Sequence, residues 1–484
     1  MRISPTVKGT FSFTLARLGG SLSGAIATIF LARKLGPEQY GLLSIILSLS
    51  ALFSIFADFG ISSSTARYIA EAKNDGRSIF PVFRDGLFFK LFFVVGTVVL
   101  VVILAKPIAL LYKNLELQGI IKMCSMHVIF ATFLLFAGRI FQAIRRLEIY
   151  ASAILIQGLT ILTLVVLFVK RGGGLQQVYS AYIIGTGCGF LFLATVLIWF
   201  MRRARKGSDS ARYLKTIASY CVPLAALSLS YFAFSHIDNL LLGYFAPKEE
   251  VGYYNVTFRI INFLRYPFMA IGMSISPLFA KSATGNDSLL STFMRVFKYT
   301  VVLGLPICAS LIILSSVGIR IFLGEAYLSS IKLLSAQTPF FLLSSFIFVF
   351  GPILSFAGFA KIQAYIFITC AIIAVGSNIF LIPHFGPMGA VASITIAFTI
   401  YTLAILLICK RVYSFGWITL LRNIWRPLLA TIFFSSALIW FSKLMHNTIL
   451  LFVLTGIGFM FYFAIIFITK TVRKEEIMSI IQRK

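Results

Sequence analysis

Acidic residues are scarce: 15 Asp and Glu stand in a chain of 484 residues, against 43 Lys and Arg. Charged residues of both signs make up only 12% of the chain, about half the share of a soluble domain. That excludes a solvated globular protein. It also excludes a soluble nucleic-acid-binding domain, despite a net charge of +28, because a binding groove needs polar surface that this chain lacks. Histidine occurs four times, without HExxH or any other metal-ligand spacing, so no metal is expected. The six cysteines (Cys124, Cys188, Cys221, Cys308, Cys370 and Cys409) stand singly in or beside apolar runs, with no CxxC pair. They are expected as small buried hydrophobes. There is no GxSxG and no Ser/His/Asp set. Gly172-Gly173-Gly174 lacks the GK[ST] ending of a phosphate loop and is expected as a hairpin. Neither catalytic residues nor a cofactor are expected.

What the chain has instead is apolar length. Residues of the AVILMFWYC set make up 59% of it, 50 of them Phe. Runs long enough to cross a bilayer, about 20 residues each, lie at roughly 9–32, 39–66, 86–105, 119–143, 150–169, 175–201, 216–245, 249–279, 296–317, 333–357, 362–382, 388–409, 427–445 and 449–469. The N-terminal run is too long for a cleavable signal and is expected to be the first span. An even number of spans puts both termini on one side. With the N-terminus inside, 28 of the 43 basic residues, Lys90 among them, fall in cytoplasmic connections or the tail, and ten fall outside. This is the positive-inside pattern of a multi-pass protein with cytoplasmic termini. Five cations remain within spans: Arg17, Lys122, Arg139, Arg259 and Arg265.

The chain also repeats itself. IFLARKLGPEQYGLLS, starting at Ile29, matches LLLGYFAPKEEVGYYN, starting at Leu240. In each, a span ends, Pro37 or Pro247 opens the next, and Gly41 or Gly252 follows. On this alignment Gly60 meets Gly272, and both are expected as flex points. A spacing of about 210 residues implies a parallel repeat, and such halves enclose a substrate cavity. The expected division is an N-terminal bundle over 1–201, a basic linker over 202–215 (RRARKGSDSARYLK) and a C-terminal bundle with its basic tail over 216–484.

Ionisable groups inside a bilayer are functional candidates, since an unpaired charge there costs at least about 2.5–3.5 kcal/mol. At 100° per residue, Thr10, Thr14, Arg17, Ser21, Gly24 and Thr28 share one face of the first span, and Gly20 and Gly24 also make a GxxxG packing motif. On the eighth span Asn255, Arg259, Asn262, Arg265 and Tyr266 share another. A hydrated cavity bearing Arg17, Arg259 and Arg265 would suit phosphate oxygens, which match the guanidinium fork. Structural pairing of an Arg with Asp58 or Asp238 is the alternative. Ser228, Tyr231, Ser235, Asp238 and Asn239 line the seventh span, where Asp238 is either a helix-end carboxylate or a coupling group. Asp58 precedes Phe59-Gly60 and a run of hydroxyl residues, a pattern that favours a kink.

Leu31–Ser44, Asp58–Ala72, Ile237–Tyr254, Phe322–Leu334 and Leu381–Thr395 together resemble the polysaccharide transporter branch of the multidrug/oligosaccharidyl-lipid/polysaccharide exporter superfamily, the Wzx-type oligosaccharide flippases. The resemblance implies an all-α polytopic membrane fold of about 14 helices in two pseudo-symmetric seven-helix bundles around a central cavity. It implies alternating-access transfer of polyprenyl-pyrophosphate-linked repeat units, as for O-antigen, across the cytoplasmic membrane. The partners it implies are that lipid-linked glycan, membrane lipids and the glycan polymerase and export machinery, not nucleic acid. The cationic cavity of such relatives would here be supplied by Arg17, Arg259 and Arg265, with Asn255, Asn262, Tyr266 and Tyr231 beside them. Three alternatives stay open: a lipid II-type transporter, a multidrug or ion antiporter coupled through Asp58 or Asp238, and a membrane-embedded glycan polymerase or glycosyltransferase. The short outer connections argue against the last.

Overall fold

The computed structural model describes the backbone of residues 5–204, 212–281, 286–444 and 448–469, with side chains described from Gly19 onward except at a few positions. Regular structure in these residues is helical throughout. The first half holds α1 (Pro5–Asp58), α2 (Ile61–Asn74), α3 (Phe80–Leu111), α4 (Leu117–Ala143), α5 (Leu147–Lys170) and α6 (Leu175–Ala204). Then come α7 (Leu214–Ser235), α8 (Ile237–Phe245), α9 (Lys248–Leu264), α10 (Tyr266–Lys281) and α11 (Asn286–Ile313). The remainder is α12 (Ser315–Phe322), α13 (Ser330–Ala336), α14 (Thr338–Leu354), α15 (Ala360–Tyr413), α16 (Trp417–Leu444) and α17 (Thr448–Ile468). The protein is an all-α multi-pass membrane protein. Among the described residues nine segments are long and apolar enough to cross a bilayer, one of them, Thr338–Tyr413, being a run of three helices.

The helix breaks carry much of the architecture. α1 and α15 each continue through a non-helical glycine, Gly36 and Gly386, which separates two apolar runs. The second span breaks where its kink is expected, at Phe59 (φ 43°) and Gly60 (φ 78°). The seventh breaks at His236. The eighth, expected as one helix over 249–279, is interrupted at Arg265, because Pro267 has no N–H to give the carbonyl four residues earlier.

By contacts the chain forms two compact units, Met1–Val256 with Val375–Pro387, and Thr257–Ala374 with Met388–Lys484. This division falls inside α9 and not at the basic stretch 202–215, of which residues 205–211 lie outside the described residues. In the first unit α1 packs on α5, α5 on α6, and α2 on α3, α4 and α7. Ile61, Ile69, Val82, Phe136, Phe141 and Ile217 build a core there. In the second unit α10 packs on α14, and α11 on α16. Val302, Phe434, Leu438 and Tyr462 are buried together. The six cysteines are reduced, and all but the half-buried Cys188 are buried.

Candidate functional site

The first polar cluster lies at the break in the second span. Lys90 is 0% exposed, and its Nζ sits 2.5 Å from Asp58 Oδ1. The Ser62 hydroxyl donates to the same carboxylate oxygen. A lone charge at this depth would be expelled to water or neutralised, so each member of the pair is what admits the other. This corrects the count of cytoplasmic cations: Lys90 belongs inside. The apolar run seemed to begin at residue 86, but α3 starts at Phe80 with Pro81 in its first turn, which carries Lys90 nearly three turns into the helix. Proline as a first-turn residue was the available signal. Asp58 is thus paired, with a Lys where an Arg was considered. Around the break, Ser64 Oγ donates to the Ile217 carbonyl at 3.0 Å, and the Arg67 guanidinium lies 4.3 Å over the Tyr220 ring.

The second cluster surrounds Asp238, which opens α8 and is 2% exposed, so it is not a carboxylate meeting solvent at a helix end. Its described donors are neutral. The Tyr254 hydroxyl donates to Oδ2, and the Asn239 backbone N–H donates to Oδ1 at 2.9 Å. Asn239 Nδ2 donates to Ser48 Oγ at 3.2 Å, and Asn255 Nδ2 donates to Asn239 Oδ1 at 2.6 Å. Ser48 Oγ also lies 3.4 Å from His236 Nδ1. The second, seventh and eighth spans thereby share one buried network. Tyr254→Phe is expected to remove a hydrogen bond to a charged, buried acceptor and to lower stability by about 1.5–3 kcal/mol. A melting midpoint in detergent equal to that of the parent would contradict this.

A third cluster joins the second, fourth and sixth spans. Ser50 Oγ donates to the Ile46 carbonyl at 2.9 Å, and the Tyr179 hydroxyl lies 2.6 Å from Ser50 Oγ. His127 Nδ1 lies 3.3 Å from that hydroxyl, its ring edge-on to Tyr179. No sequence spacing pointed to this trio, since its members lie on three separate spans.

The expected stripe on the eighth span divides. Asn255 is buried in the Asp238 network, whereas Arg259 is exposed on α9 and Asn262 half-buried. Arg265 stands at the helix break, its guanidinium 5.0 Å over the Phe340 ring and 5.1 Å over that of Phe348. Tyr266 lies edge-on to Phe263. Tyr231 is 65% exposed on α7 and stands apart from the Asp238 network. Arg17 lies on the α1 backbone, but its side chain falls outside the described residues, as do those of Thr10, Thr14 and Ser21. Nearby, Gly20 packs toward Ile154 while Gly24 has open space, so only the first glycine of that GxxxG makes a close helix contact. Gly60 and Gly272 differ in kind. Gly60 has a left-handed backbone, while Gly272 lies inside α10, pressed against the Phe348 carbonyl of α14. The backbone break in the eighth span is at Arg265 instead. Among the described residues no three His, Cys, Asp or Glu converge on a point that would suit a metal.

Residues 6–283 match the family model described as polysaccharide biosynthesis protein, and residues 223–380 match the MatE model. The chain is 24% identical over 510 residues to the uncharacterized membrane protein MJ1068 of Methanocaldococcus jannaschii, covering 99% of this chain and 98% of the relative. Over 105 residues, 21% of each chain, it is 26% identical to the teichuronic acid biosynthesis protein TuaB of Bacillus subtilis. Among solved structures it is similar to the lipid II flippase MurJ in an inward closed conformation, with a TM-score of 0.77 at 15% identity, covering 95% of this chain and 99% of that one. It is also similar to an inward-facing multidrug resistance MATE family transporter, with a TM-score of 0.69 at 16% identity, covering 82% and 94%. These structures share its fold.

Proposed function

We propose, since the chain belongs to the polysaccharide transporter family of the multidrug/oligosaccharidyl-lipid/polysaccharide exporter superfamily, that it is a flippase for polyprenyl-pyrophosphate-linked oligosaccharide repeat units. It would act in the cytoplasmic membrane with both termini inside, as a transporter and not an enzyme, supplying units for a surface polysaccharide such as O-antigen. Two halves joined through the basic stretch 202–215 would alternate access to the two leaflets. The sugar-pyrophosphate head would pass through a hydrated cavity while the polyprenyl tail stays in lipid. The observation that carries this reading is the family match over residues 6–283. Lipid-linked substrates of MurJ, by its printed name a lipid II flippase, are in keeping with it.

Arg259 is the best-placed phosphate contact, because its side chain is exposed on a membrane-embedded helix whose neighbours are largely buried. Arg265 is the second, with Arg17 as a third candidate and Asn262 and Tyr266 flanking. Arg259→Ala should abolish glycan export in cells lacking the native chain, with membrane insertion intact, and Arg259→Lys should restore only part, since Lys keeps charge but loses the two-pronged fork. Arg265→Ala should behave likewise, with an added loss of packing against its two Phe rings. Unchanged export in both alanine variants would sink the assignment.

The MatE match over 223–380 includes Asp238 and favours a second reading, a multidrug or ion antiporter. In that case Asp238→Asn would remove drug efflux from cells expressing the chain while leaving glycan export untouched.

A further inference from the structure

The two repeat-matched glycines that mark the starts of the second and eighth spans touch one another's helices. A Cβ on Gly41 would run into the Lys248 carbonyl and lie 3.0 Å from the Gly252 nitrogen. A Cβ on Gly252 would run into the Pro37 carbonyl. Each glycine is therefore seated on the first turn of the other repeat, a self-complementary contact of the kind that a local two-fold axis produces. Only a residue without a side chain lets two backbones come this close.

We propose that this Gly41–Gly252 seam is the gate that closes the extracytoplasmic end of the transporter. The inference rests on the transporter reading above and assigns it moving parts. Three further observations support it. The two helices that meet are rods bounded by breaks at both ends. Residues 37–58 run between Gly36 and the Phe59–Gly60 break, and α9 runs between the extended Ala246 and the break at Arg265. Rods of that kind can tilt without unfolding, since the dihedral change is taken up at the breaks. Second, parting the seam leaves the Lys248 ammonium a partner, because it donates to the Gly243 carbonyl of its own repeat. What it would give up is its place 5.2 Å over the Tyr112 ring of the first repeat. Third, the described polar links that Ser48, two turns below Gly41, makes to the second repeat are neutral: with Asn239 and with His236. Water can replace such hydrogen bonds at little loss. The positive-inside count places these helix starts on the outer side.

The test uses the full-length chain in intact cells. Ser44, buried one turn below Gly41, is changed to Cys as a reporter, and a membrane-impermeant maleimide is added from outside. The parent without the reporter serves as the blank. Gly41→Ala and Gly252→Ala, each alone, should raise the labelling rate about tenfold by disfavouring the closed seam, and both should depress export. Gly96→Ala, at a glycine of α3 with open space around it and no part in the proposed cavity, should change neither. Equal labelling rates in parent and variants that accumulate normally would overturn the gate. If the glycine variants fail to accumulate, Gln39→Cys with Glu249→Cys, both exposed and flanking the seam, gives a second route. A cleavable bis-maleimide across them should arrest export, and cleavage should restore it. Export continuing at the unbridged rate would overturn the proposal. Export that is the same in cells lacking the chain altogether would overturn the cargo, while the labelling rates would still decide the gate.

Discussion

Lys90→Met and Asp58→Asn, each made alone, are expected to destabilise the protein by about 3–5 kcal/mol, and the double variant to recover most of that loss. The reasoning is an asymmetry of desolvation. Both charges have left water, and their mutual attraction at 2.5 Å repays that transfer only while both are present. Removing one leaves the other uncompensated, whereas removing both leaves two neutral side chains of similar volume. The two single variants should also differ. Asp58 keeps the Ser62 hydroxyl as a donor when Lys90 is lost, while the wholly buried Lys90 ammonium keeps at most a neutral amide oxygen and loses its described counter-charge when Asp58 becomes Asn. Asp58→Asn should therefore be the worse of the two. Thermal aggregation midpoints in detergent, together with the amount of inserted protein, measure the effect. A Lys90→Met protein that melts with the parent would show that the pair contributes nothing.

Gly60→Ala is expected to lose about 2–5 kcal/mol, the sum of a left-handed backbone penalty and overpacking. At φ 78° and ψ 0° a Cβ is already unfavourable. Here it would also meet the Cys221 carbonyl and the Leu224 Cβ, each at 2.8 Å. A backbone carbonyl cannot turn aside as a flexible side chain does, so α7 would have to move away from α2. Gly24→Ala, with no heavy atom in reach, should be neutral or slightly stabilising, because Ala is the better helix former. If both variants melt alike, the break in the second span is not held by its packing on α7.

How much of this was legible in the chain differs from link to link. Hydrophobic length and the lopsided cation count specified an all-helical multi-pass protein, because a bilayer demands long apolar helices and the loops must carry the charge. The Pro37/Gly41 and Pro247/Gly252 pattern marked two helix starts, and these are the starts that meet. What the sequence hid was depth and continuity. Lys90, only four residues into a run read as starting at 86, looked like a span-end residue within reach of the cytoplasm, whereas the helix begins earlier, at Phe80. Asp238 looked terminal because its network draws Ser48 from 190 residues upstream and Tyr254 from the next helix, and helical spacing carries no such long-range information. The arginine stripe on the eighth span assumed an unbroken wheel. Pro267 was visible, but its effect on Arg265 depends on how the freed backbone packs.

The Asp58–Lys90 pair also bears on how the chain is made. The two residues are 32 apart, so when the second span emerges from the ribosome its carboxylate has no counter-ion yet. Entering the bilayer alone, that span would carry a lone charge at about 2.5–3.5 kcal/mol, and the third span would meet the same penalty in its turn. Inserted together as a hairpin, they bring in a net-neutral dipole. The second and third spans should thus leave the translocation channel as one unit, and a ribosome stalled before Lys90 should hold the second span's inner half at the membrane surface.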